Sequence, residues 1–175
     1  LGVVSRYFGE HAVALMTFGL LAGLPRDKFH VSAVTFSGDV VSSRIRNATD
    51  AVVVAPARIP QAREVIAGQA FDILLYADIG MEPLSYFLAF ARLAPVQCVT
   101  WGHPDTTGLL TVDYYISNDL AEPENGQDSY TEKLVRLDPF RRVLAHQEQA
   151  SGLGATKRVC IYEDEEGDGD EEAAD

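Results

Sequence analysis

Neither a lysine- and arginine-rich stripe nor a basic amphipathic helix occurs in this 175-residue chain, and 14 Lys and Arg stand against 26 Asp and Glu. A nucleic-acid partner needs cations to neutralise its phosphates, so that class of function is excluded. No apolar run approaches the roughly 18 residues that span a bilayer, and no charged segment followed by an apolar one opens the chain. Neither a membrane partner nor export is expected. Cysteine is scarce: Cys98 and Cys160 form no disulfide framework and no metal-ligand spacing. A bound metal is therefore not expected, and a reducing location, cytoplasmic or nuclear, is. Three sequence signatures are also absent: the GxGxxG of dinucleotide binding, the GxxxxGKS/T of phosphate-binding loops and the GxSxG of serine hydrolases.

Acidic charge is abundant but uneven. Nine of the 26 acidic residues fall in Glu163–Asp175, where no basic residue stands, which leaves 17 against 14 and a nearly balanced body. Such a segment cannot bury enough apolar surface to offset its ordering entropy and self-repulsion, so 163–175 is expected to be a disordered acidic tail. Ahead of it, 138–162 carries a weak pattern, with a possible helix at 141–149 and a possible edge strand at 157–162. A start at Leu1 rather than Met suggests a piece of a longer chain.

Residues 1–137 alternate strand-like and helix-like patterns. Short β-branched or apolar runs at 1–5, 29–36, 50–54, 71–78, 94–100, 112–117 and 133–137 read as strands. Helical periodicity marks 11–24, 39–47, 61–69 and 82–93, with Pro60 and Pro83 suited to first turns. The 29–36 run alternates, so one less buried face is expected. Val40, Val41 and Ile45 should point inward from 39–47, and Tyr86, Phe87 and Phe90 are read as core. Strands alternating with helices imply an α/β fold, a Rossmann-like mostly parallel sheet with helices on both faces.

Two loops at the carboxyl ends of strands attract attention, because open α/β sheets bind ligands there. His11 lies at the start of the first helix, where it serves either as a ligand-facing imidazole or only as a hydrogen-bonding helix start. The second loop follows the run Ala94–Thr100 and contains Gly102, His103, Pro104, Thr106 and Thr107. His30 falls on the polar phase of its strand and reads as a surface residue. Cys98 reads as a small buried hydrophobe.

The assembled residues resemble the protein O-GlcNAc transferase and SPINDLY-like glycosyltransferases. The resemblance rests on Gly2-Val3-Val4-Ser5 through Phe8 and His11, on Phe71–Leu75, and above all on four later groups. These are Ala94-Pro95-Val96-Gln97, Trp101-Gly102-His103-Pro104 with Thr106-Thr107-Gly108, Asp113-Tyr114, and Tyr130 with Glu132–Leu137. It covers roughly residues 1–137 and implies the first half of a GT-B glycosyltransferase, transferring N-acetylglucosamine or a related hexose from a UDP-sugar to Ser or Thr hydroxyls of a protein acceptor, without cofactor. It implies further that His11 and the Gly102-His103-Pro104 loop line the transfer cleft, that Thr106 and Thr107 hydrogen-bond substrate oxygens, and that a second, nucleotide-binding half is missing after about residue 138. An asparagine-glucosylating relative and a non-enzymatic Rossmann-like module are the alternatives. One departure stands out: many members place an aspartate four residues before the histidine, and here that position is Tyr7.

Overall fold

The computed structural model of the protein describes residues 1–137. The expectations for 138–162 and for the acidic tail at 163–175 lie outside the described residues. Seven strands form, β1 (Gly2–Val4), β2 (Ser32–Phe36), β3 (Ala51–Ala55), β4 (Ile73–Tyr76), β5 (Val96–Thr100), β6 (Tyr114–Asn118) and β7 (Lys133–Leu137). Four α-helices accompany them, α1 (Ala12–Gly23), α2 (Ser43–Asn47), α3 (Ile59–Ala67) and α4 (Pro83–Leu88). The strands make one sheet in the order β3-β2-β1-β4-β5-β6-β7, with every pairing parallel.

Strand side chains alternate between faces, so neighbours in sequence enter different cores. Val3, Ala33 and Leu75 pack with Phe18 and Leu21 of α1 and Ile45 of α2. Val4, Val34, Leu74 and Tyr76 pack on the opposite face with Ile66 of α3 and Leu88 of α4. Helices therefore cover both faces, and central strands are apolar on both sides, as parallel sheets require. The Rossmann-like α/β architecture read from the sequence is the one observed.

Three local expectations need correction. Every residue of β2 is buried, because the strand lies between β1 and β3 with helices above and below; its alternation comes from Ser32 and Thr35, small polar groups that a core tolerates. The helix expected over 39–47 begins only at Ser43. Ser42 caps it by accepting from the Ile45 N–H at 3.4 Å, and Val40, outside the helix, is 72% exposed. The helix expected over 82–93 ends at Leu88, and Phe87 and Phe90 are about half exposed rather than core. Only Leu88 and Ser85 of α4 turn fully inward.

The order β3-β2-β1-β4 places a topological switch between β1 and β4. The chain leaving β1 crosses over through α1 on one face, whereas the chain leaving β4 crosses through α4 on the other. Their loops meet at the carboxyl edge of the sheet, beside the switch point where such folds bind ligands.

Candidate functional site

His11 is the N-cap of α1, with extended backbone, and its Nδ1 accepts a hydrogen bond from the Val13 N–H at 3.2 Å. An accepting Nδ1 puts the ring proton of a neutral imidazole on Nε2, so the free nitrogen is a donor. The ring stacks on Tyr7, with centroids 4.4 Å apart and planes 22° from parallel. Tyr7 in turn brings its hydroxyl to 3.4 Å from Glu82 Oε2. Burial, reinforced by Glu82, raises the pKa of the Tyr7 hydroxyl. Tyr7 thus links the His11 ring to the Glu82 carboxylate.

The residues around this pair went unread in the sequence. Arg6 pairs with Asp39 at 2.9 Å and lies 3.6 Å from Glu82, and its hydrogen bonds to Asp39 are the main cause of a raised guanidinium pKa. Glu82 also caps α4 by accepting from the Leu84 N–H at 3.0 Å. Asp78, fully buried at the end of β4, accepts at Oδ2 from the Arg6 N–H at 2.8 Å and the Ser5 hydroxyl at 3.1 Å. Its Oδ1 has no hydrogen-bond partner of normal geometry, although the Ser85 hydroxyl lies beside it. Burial pushes the carboxyl pKa up to about 6. A lone Asp closing the apolar run Ile73–Ala77 is the signal that marks it in the sequence.

The loop after β5 packs directly on the loop after β4. A Cβ at Gly102 would stand 2.6 Å from both Ala77 O and Asp78 Cα, so only glycine allows this approach. Gly80, at φ +93°, presses against His103, and a Cβ there would overlap the His103 Cβ. His103 is half exposed, with Nδ1 3.3 Å from Asp105 Oδ2 and 3.4 Å from the Asp105 N–H. The Asp105 N–H donates to Nδ1, so, as at His11, the ring proton of a neutral imidazole stands on Nε2. The His103 carbonyl is held by the Tyr115 hydroxyl at 2.6 Å, and the Pro104 carbonyl lies 3.3 Å from the Tyr130 hydroxyl.

Thr106 and Thr107 both hydrogen-bond to one carboxylate within the chain. Thr106 Oγ1 donates to Glu132 Oε2 at 2.7 Å and accepts from the Thr131 N–H at 3.1 Å. Thr107 donates both its N–H and its hydroxyl to Glu132 Oε1, and its Oγ1 accepts from the Leu109 N–H. Both hydroxyls are spent on Glu132, a carboxylate only 2% exposed. Burial alone would raise its pKa, yet hydrogen bonds from Thr107 and Thr106 bring it below the ordinary value. Gln97 plays a similar part at the other end of β5. Its amide accepts from the Leu93 N–H and donates to the Ala91 and Thr111 carbonyls, and its N–H donates to Asp113. Asp113 is held in turn by Arg92 at 2.8 Å.

Two hollows border these loops. A small apolar one of about 30 Å³ lies between Val13 and Thr17 of α1 and Ala77 and Trp101. A wider cleft of about 390 Å³ opens between Gly80 and the start of α4, lined by Glu82, Tyr86 and Phe87. Among the described residues no cluster of His, Cys, Asp or Glu is arranged to hold a metal, and no helix is long and apolar enough to cross a membrane. Cys98 is buried and His30 is exposed beside Asp50.

No protein-family model matches the chain. Over 47 residues it is 55% identical to a probable UDP-N-acetylglucosamine–peptide N-acetylglucosaminyltransferase SPINDLY of Solanum lycopersicum and 57% identical to that of Arabidopsis thaliana. Those stretches are 26% of this chain and only 5% of each relative. A UDP-glucose:protein N-beta-glucosyltransferase of Actinobacillus pleuropneumoniae is 32% identical over 75 residues, 43% of this chain and 12% of that protein. In three dimensions the chain superposes on a mutant Thermobaculum terrenum O-GlcNAc transferase with a TM-score of 0.67 and 25% identity, covering 78% of this chain and 27% of that one.

Proposed function

From the premise that this chain is an O-GlcNAc-transferase-like glycosyltransferase in sequence and fold, we propose that residues 1–137 form the acceptor-side half of an enzyme moving a hexose from a UDP-sugar to protein Ser or Thr hydroxyls. One observation carries this reading. Two histidine-bearing loops, the one after β1 and the one after β5, are both tied to the β4 loop at the carboxyl edge of the sheet, through Asp78 and Gly102.

In the transfer, the acceptor oxygen attacks the anomeric carbon, the bond from that carbon to the phosphate oxygen breaks, and the hydroxyl proton leaves. His11, donating from Nε2, suits the orientation of a sugar or acceptor oxygen rather than proton removal. Its accepting nitrogen is engaged in the helix cap, and freeing Nε2 as a base would turn Nδ1–H against the Val13 N–H. His103, half exposed and with Asp105 Oδ2 3.3 Å from its Nδ1 to stabilise an imidazolium, is the better proton acceptor. Gly102 and Pro104 shape this lip, while Thr106 and Thr107 brace it from behind. The departing diphosphate needs positive charge, and Arg6 in the β1 loop is already neutralised by Asp39 and Glu82. That charge is assigned to the second half of the complete enzyme, as is the protein-recruiting machinery. Neither a cofactor nor a metal enters this chemistry.

His11→Ala, made in the complete enzyme, is expected to lower kcat about 10- to 100-fold, the range for losing one oriented hydrogen-bonding group. Steady-state transfer from labelled UDP-sugar reads it, and an unchanged kcat removes His11 from the mechanism. The likeness to the Actinobacillus N-glucosyltransferase supports a second reading, in which the acceptor is an asparagine amide. Mass spectrometry of the modified acceptor separates the two by the residue that carries the sugar.

A further inference from the structure

Asp78 is a charged side chain at a place where packing gives no reason for one. It is fully buried, one of its oxygens lacks a partner, and a half-satisfied buried carboxylate opposes folding. What it does instead is geometric. Its Oδ2 holds the Ser5 hydroxyl and the Arg6 N–H, and Ser5 Oγ accepts from the Tyr7 N–H at 2.9 Å, so three consecutive residues of the β1 loop hang on one oxygen. The third of them, Tyr7, carries the ring on which His11 stacks. The Asp78 carbonyl accepts from the Met81 and Glu82 N–H groups, both at 3.1 Å, and so folds the turn that brings Gly80 against His103. Its Cα is the surface on which Gly102 rests.

We propose that Asp78 is a positioning residue for sugar transfer: it locks the loop carrying His11 to the loop carrying His103 and so sets the mutual placement of the two imidazoles. The inference rests on the functional reading above for its consequence, and on the hydrogen bonds alone for its mechanics. A group acting through position loses its effect when its acceptor oxygen is removed and regains it when an oxygen is restored. Asn at 78 can accept from Ser5 and Arg6 as the carboxylate does, and its amide nitrogen falls beside the Ser85 hydroxyl.

The test uses two readouts. In the complete enzyme, Asp78→Ala is expected to lower kcat about 30-fold with KM for the UDP-sugar within about two-fold, since misplaced groups lose rate rather than uniform binding. Asp78→Asn restores most of that kcat. In the 175-residue chain, hydrogen exchange at the Arg6 and Tyr7 amides should become at least about ten-fold faster in Asp78→Ala, stay near wild type in Asp78→Asn, and be unchanged in β2 in both. Should Asp78→Ala not fold, Ser5→Ala breaks one arm alone and should speed exchange at Tyr7. Unaltered exchange at Arg6 and Tyr7 in a folded Asp78→Ala protein, or at Tyr7 in Ser5→Ala, overturns the proposal. So does a kcat loss that Asp78→Asn fails to restore. If the wild-type enzyme transfers no sugar while exchange responds as described, the lock stands and the functional reading fails.

Discussion

Glu132→Ala is expected to destabilise the folded residues by about 3–5 kcal/mol. The carboxylate is 2% exposed and accepts from the Thr106 hydroxyl, the Thr107 hydroxyl and the Thr107 N–H. Truncation leaves a buried backbone donor and two hydroxyls without their acceptor, and each loss of a hydrogen bond to a charged group is worth about 1.5–3 kcal/mol. Against a typical domain stability of about 5–15 kcal/mol, that is a large fraction. Glu132→Gln keeps one acceptor oxygen and the volume, so its loss should be about half as large. The pH dependence follows from the depressed pKa of Glu132. Its contribution is complete above the ordinary carboxylate range and disappears as pH falls through the lower folded value. Urea denaturation of the wild type and both variants checks this, and a loss below about 1 kcal/mol for Glu132→Ala would contradict it.

The second large effect has the opposite sign. Asp78→Asn should stabilise the protein at pH 7.5 by up to about 3 kcal/mol, because burial raises the Asp78 pKa from 3.8 to about 6 and every tenfold gain in proton affinity is worth about 1.4 kcal/mol. The folded state binds the Asp78 proton more tightly than the unfolded chain does. Stability from this group is therefore greatest below about pH 4, declines as pH rises toward 6, and is level above that. The difference between Asp78→Asn and wild type should vanish near pH 4 and reach its full size above pH 6. Equilibrium unfolding from pH 4 to 8 measures it, and a destabilised Asp78→Asn at pH 7.5 would show that the ionised carboxylate favours the fold. A natural residue that lowers stability is the pattern expected of a functional position.

The sheet was legible because its information is local. Runs such as Ile73–Tyr76 are apolar on both faces and bounded by turns, which specifies buried parallel strands with little ambiguity. Helix lengths were less legible, since caps decide them: the Ser42 hydroxyl starts α2 four residues later than its apolar pattern suggests. The exposure of Phe87 and Phe90 was hidden for another reason, because α4 ends at Leu88 and the helical face they would share does not form.

The site was half legible. His11 and the Gly102–Thr107 loop stand out by residue type, and the fold places both at the carboxyl edge of the sheet. What sequence could not supply is how each group is spent. Thr106 and Thr107 read as substrate contacts; their hydrogen-bond partner Glu132 is 26 and 25 residues on and meets them only once β7 joins the sheet. Gln97 and Asp113, which help carry the family resemblance, brace the far end of β5, away from the carboxyl edge. Much of the recognisable signature therefore encodes the scaffold that presents the loop. Asp78, Arg6 and Glu82 are ordinary charged residues in sequence and become a network only when the loops after β1 and β4 meet.

Sugar transfer by the reconstituted enzyme tests the central claim most directly. Labelled UDP-N-acetylglucosamine and a Ser/Thr-containing acceptor protein are incubated with this chain alone, and with this chain joined to a second, nucleotide-binding half of an O-GlcNAc transferase. Transfer that is negligible for the chain alone and robust for the joined protein, and that is lost when His11 and His103 are both replaced by Ala, is the predicted result. Inertness in both formats, with the joined protein folded and binding UDP, would contradict the account and leave a non-enzymatic Rossmann-like module as the better reading.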